Sequence, residues 1–125
     1  MIEIPISSSR DKIFEQYLYL INPILGKNKL TDLEMKVLSK MLQVFYLYSH
    51  LGVDSANAIV FHAETKKRIR EVISKELGSI YSVQSFNNVI YKLKMKGMIT
   101  ADKLLISIPY KDGKIKLVFN LSVNE

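Results

Sequence analysis

The chain is poor in cysteine and histidine, the side chains most often used as nucleophiles, proton carriers and metal ligands. Cysteine is absent, which excludes disulfides, thiolate metal sites and a thiol nucleophile. The two histidines, His50 and His62, stand twelve positions apart with no HExxH or similar pair, so a zinc enzyme is not expected. Asp54 and Glu64 lie near them in sequence but complete no catalytic set. The 5 glycines are scattered and build no phosphate loop. We expect no catalytic residue, no metal and no cofactor. Cationic charge is what the chain does supply. Residues 1–64 carry 6 Lys/Arg against 7 Asp/Glu, whereas residues 65–125 carry 12 against 5. A strongly basic second half suits a polyanionic partner. A solvated basic face is the simpler reading, and charge alone does not separate the two.

The 125 residues, 48% hydrophobic and 24% charged, have the balance of one globular domain able to bury its own core. No basic segment followed by an apolar one marks a leader. No apolar run approaches the ~18 residues of a membrane helix. The expectation is a cytoplasmic protein, of a cell or of a virus that replicates in one.

The elements that must position the cations follow from periodicity and punctuation. Residues 1–11, with Ser7-Ser8-Ser9, show no helical period and read as a loose arm. Residues 12–21 fit a short helix ended by Asn22-Pro23, with a strand as the alternative. Lys27-Asn28-Lys29 reads as a turn. Thr31 and Glu34 form a capping box for a helix running to about Ser49. Its inner stripe is Leu33, Val37, Leu38, Met41, Val44, Phe45 and Tyr48, widened by Leu42, Tyr46 and Leu47, so the helix is central or has a second apolar contact. Leu51–Asn57 reads as a loop and Ala58–His62 as a short strand. Thr65 would cap a basic helix over 66–77, closed by Gly78, and Ser82 a further helix over 83–96, closed by Gly97. Met35, Met41, Met95 and Met98 sit at packing positions. Asp112-Gly113 then makes a two-residue hairpin loop. That loop sets Tyr110 opposite Ile115, Ile108 opposite Leu117, Ile106 opposite Phe119 and Leu104 opposite Leu121.

Helix, short strand, helix, helix and two-stranded hairpin is the element order of a winged helix-turn-helix domain. Ser82 through Ile99 resembles the recognition helix of MarR-type and related bacterial regulators. The resemblance rests on the Ser82 cap, apolar Phe86, Val89 and Leu93, and the ending Lys96-Gly97-Met98-Ile99. It covers about residues 30–123, and it is more specific for the fold than for any one family. The link from Leu77 to Ser82 is about two residues longer than the tight turn of those regulators.

The resemblance implies an α+β, mainly helical fold. A winged-helix domain would span 30–125, preceded by an N-terminal apolar extension, the arm and short helix of 1–29. It implies a non-enzymatic protein that binds double-stranded DNA, a small transcriptional regulator of a kind common among phage proteins. Gln84, Ser85, Asn87, Asn88 and Lys92 would then read bases in the major groove. Lys66, Lys67, Arg68 and Arg70 would hold phosphates, helped by backbone N–H groups at their helix start, and Lys111 and Lys114 would touch the backbone from the wing. Each of these sets is also compatible with a solvated helix face or with lysines protecting a sheet edge. Residues 12–25 carry apolar side chains beyond what such a core requires, which suggests a homodimer contact. The competing expectation is a winged-helix protein-interaction module of replication, transcription or a phage particle that does not touch DNA. A plasmid-type replication initiator fits less well, because those proteins resemble two such domains in tandem.

Overall fold

In the computed structural model, which describes residues 2–6, 12–106, 108–111 and 114–119, three strands and five α-helices follow one another. They are β1 (Ile2–Ile6), α1 (Ile13–Ile21), α2 (Asp32–Leu47), α3 (Val53–Val60), α4 (Ala63–Leu77), α5 (Val83–Met95), β2 (Tyr110–Lys111) and β3 (Lys114–Phe119). The architecture is α+β and mainly helical.

Helix α2 is the axis, and its start is built as the sequence dictates. The Thr31 hydroxyl accepts from the Glu34 N–H at 3.2 Å, and Glu34 Oε1 accepts from the Thr31 N–H at 3.1 Å, so two otherwise unpaired donors are satisfied together. Val37, Leu38, Met41 and Leu42 are wholly buried, and the helix packs against α1, α3, α4 and α5. The wide apolar stripe thus reflects a central helix. Its end turns outward, with Leu47 51% and Tyr48 37% exposed. One hydrophobic cluster joins Ile13, Phe14, Tyr17 and Leu18 of α1 to α2, α4 and α5. Burying each such side chain contributes roughly 1.5–3 kcal/mol. Residues 12–29 therefore share the core of the rest of the chain. After α1 a 3-10 segment, Asn22–Asn28, takes in most of the expected turn at 27–29 and is capped by Lys29. The Asn22 amide closes that segment, donating to the Leu30 carbonyl at 3.0 Å and accepting its N–H at 2.7 Å.

Three expectations are corrected. Most of the expected loop at 51–57 and strand at 58–62 is instead helix α3, with His62 beyond it. Ala56, Asn57 and Val60 supply its buried face, so tertiary packing overrides the strand preference of Ile59 and Val60. The loose arm is corrected over residues 2–6, which form β1; residues 7–11 lie outside the described residues. β1 pairs antiparallel with β3, Ile2 opposite Phe119 and Ile6 opposite Ile115, giving the sheet order β1-β3-β2. Pro5 sits on this outer strand, where its missing donor is tolerated.

The long hairpin is the third correction. Tyr110 does face Ile115, but β2 is only two residues long. Ile108 finds another partner: its N–H donates to the Tyr46 hydroxyl at 3.2 Å and its carbonyl accepts from the same hydroxyl at 3.1 Å. Leu104 bridges Ile99, and its N–H donates to Asn57 Oδ1 at 3.0 Å. Backbone polar groups must be paired once buried, and here side chains of α2 and α3 pair them before the ladder can extend. The Asp112-Gly113 turn and Leu121 fall outside the described residues.

Candidate nucleic-acid interface

Helix α4 starts three residues earlier than a Thr65 cap would place it. His62 is the cap, its Nδ1 accepting from the Glu64 N–H at 3.1 Å. The Lys66 N–H is already bonded to the His62 carbonyl at 3.1 Å. Lys66, Lys67 and Arg68 therefore stand in the second turn, and only their side chains, not their backbone, are available to an anion. Glu64 occupies the first turn instead.

Helical rotation divides the four cations. Lys66, Lys67 and Arg70 line a cleft of about 250 Å³ together with Val83, Phe86 and Asn87 of α5. Arg68 faces the other way, into a groove that α4 forms with α2 and α3.

The α4–α5 link is held by Tyr81, a residue that the sequence reading did not single out. Gly78 closes α4 in the left-handed conformation, φ 69°, where a side chain would be strained. Tyr81 is buried, its N–H donates to Ser74 Oγ at 2.9 Å and its hydroxyl donates to the Ser85 carbonyl at 3.3 Å. Burial pushes that hydroxyl above its ordinary pKa. Its carbonyl accepts from Arg70 at 3.4 Å, and its ring meets Phe86 edge-on at 6.1 Å. One aromatic residue thus fixes the two helices against each other. Tyr81 follows a turn and precedes a cap, and beside the equally bulky but exposed Ile80 nothing in the sequence marked it as the buried one.

Along α5, Phe86, Val89 and Leu93 are buried as expected. Gln84, Asn88, Tyr91 and Met95, at i, i+4, i+7 and i+11, share the outermost stripe and are exposed. Met95 is 69% exposed, so its expected packing role is corrected; Met35, Met41 and Met98 are buried. Asn87 turns toward the α4 cations. Ser85 is exposed but engaged: its hydroxyl accepts from Ser82 Oγ at 3.0 Å. Lys92 is exposed on the same helix, which carries no carboxylate.

Lys111 and Lys114 are exposed and directly opposite one another across β2 and β3. Like charges so placed repel. They lie outside the α4–α5 cleft.

Two ion-pair systems brace these elements. Lys96 reaches from beyond the end of α5 to buried Glu34 and to the Lys29 carbonyl, fixing α5 to the start of α2. Glu76 of α4 accepts from Lys40 at 2.7 Å and Lys36 at 3.2 Å. Partial burial raises the Glu76 pKa, but the two ammonium groups outweigh it and hold the carboxyl below its ordinary value. Burial likewise opposes the charge on Lys36, yet Glu76 and Glu15 raise its pKa overall.

Among the described residues no cluster of His, Asp and Glu is arranged to hold a metal ion, and no helix is long and apolar enough to cross a membrane. Compared with family models, curated proteins and solved structures, the chain finds no match in any of the three.

Proposed function

We propose that the chain is a winged-helix protein that binds double-stranded DNA without catalysis, acting as a small transcriptional regulator. One observation carries the reading: Lys66, Lys67 and Arg70 of α4 line a single cleft with Asn87 of α5. In such an interface the cations hold phosphates while the outer face of α5 enters the major groove. Gln84 and Asn88 have the amide geometry that pairs with adenine. The opposed Lys111 and Lys114 add a site whose repulsion an anion would relieve. Arg68 is left out of the phosphate set because it lines a different groove. A homodimer belongs to the proposal in a narrowed form. Phe14, Tyr17 and Leu18 are buried within the chain, so the contact would use Tyr19, Leu20 and Ile24.

The test is fluorescence anisotropy with labelled random duplex at several salt concentrations. With ~5 phosphates neutralised, log affinity should fall against log salt with a slope of about −4 to −5. No binding at ~50 mM salt, or a flat slope, would remove the reading. A protein-interaction module is favoured by one specific observation: Ile80 (91%), Tyr91 (59%) and Met95 (69%) are strongly exposed on or beside α5. Absence of DNA binding would turn attention to that apolar surface.

A further inference from the structure

Helix α4 has a second working face. Thr65, Arg68, Ile69, Val72 and Glu76, at i, i+3, i+4, i+7 and i+11, look away from the basic cleft and into a groove of about 440 Å³. Val44 of α2 and Ile59 of α3 complete its apolar walls. The volume is that of a small-molecule site, within the ~300–1,000 Å³ typical of such pockets. Arg68, Lys40 and Glu76 also line it. Lys40 is matched by Glu76, whereas among the described residues no carboxylate lies within ion-pair distance of Arg68. The groove thus keeps one net positive charge beside its apolar walls. One net positive charge matches a single negative charge, whereas a dianion such as a phosphate monoester would keep one charge uncompensated.

We propose that the groove between α2, α3 and α4 binds a small aliphatic monocarboxylate, its chain lying against Val44, Ile59 and Val72 and its carboxylate paired with Arg68. A guanidinium offers a carboxylate two parallel N–H donors, which an ammonium does not. The apolar chain supplies the rest of the affinity by leaving water. The inference stands apart from the DNA reading, since it concerns the opposite face of α4.

Isothermal titration calorimetry of the intact chain with octanoate, 1-octanol and octylammonium tests it without DNA. Octanoate should bind saturably at one site per chain, octanol about tenfold more weakly, and octylammonium not measurably. Arg68→Gln should weaken octanoate about tenfold and leave octanol unchanged, with Arg68→Lys between the two. Val72→Glu, at a half-exposed position that tolerates a polar side chain, should abolish octanoate binding. Melting curves identify any variant that fails to fold, and the three ligands on the unaltered chain decide the matter regardless. Equal affinity for octanoate and octanol would overturn the proposal. So would an Arg68→Gln variant that binds octanoate as the parent does, or no saturable heat up to ~5 mM.

Discussion

Single residues here join segments that lie far apart in sequence. The Tyr46 hydroxyl both donates to and accepts from Ile108. Tyr46→Phe should therefore destabilise the fold by roughly 1–3 kcal/mol, because the buried Ile108 N–H loses its partner while the Ile108 carbonyl keeps the Tyr110 N–H. Chemical denaturation will read it as a lower midpoint with unchanged slope; a change below ~0.5 kcal/mol would mean that water replaces the hydroxyl. For DNA, Lys67→Ala should weaken binding to all sequences alike and reduce the salt slope by about 1, whereas Asn88→Ala should cost about 1–3 kcal/mol on a preferred site only. Anisotropy on preferred and random duplexes separates the two. If Asn88→Ala weakens both duplexes equally, its base-reading role is lost.

Between elements, the α2–α4 clamp responds to pH in a direction that its ion pairs dictate. Glu76 has a lowered pKa in the folded chain. Its contribution is complete above the ordinary glutamate value and is lost as the pH falls through the lowered one. The group is partly exposed, so the effect is modest, roughly 0.5–1 kcal/mol. Glu76→Gln should melt below the parent at pH 7, and the difference should shrink as the pH falls through the lowered Glu76 pKa. Equal melting at pH 7 would mean that the pair contributes nothing. The elements differ in how plainly the sequence announces them. α2 and α5 are legible because Thr31, Glu34 and Ser82 cap through bonds only three residues long. α3 is not, because Ala56 and Asn57 carry much of its buried face and neither stands out as hydrophobic. β1 shows the alternation of Ile2, Ile4 and Ile6, but Pro5 within it argues against a strand, and its partner strand is remote. The cations of the candidate interface are legible as a cluster. Their division between two grooves is not, because it depends on which elements pack beside α4, α5 on one side and α2 with α3 on the other.

For the molecule as a whole, the homodimer proposal now makes a sharper prediction. Leu20→Glu with Ile24→Glu, both exposed positions, should give a folded monomer where the parent scatters light as twice 14.4 kDa. A monomeric parent would remove the dimer. Tyr17→Glu, by contrast, should unfold the chain, because Tyr17 belongs to the core and an unpaired charge is costly there. The sheet carries a different consequence, one of folding order. β1 and β3 are paired although more than a hundred residues separate them, whereas the α2 and α5 caps close over three residues. Closing so long a loop costs chain entropy that local helix formation does not, and contacts of this separation slow folding. The helical core should therefore assemble first and the β1–β3 pairing arrive late, near the native side of the barrier. Substitutions that weaken this pairing should accelerate unfolding and leave the folding rate almost untouched, which stopped-flow measurement of both limbs will read directly.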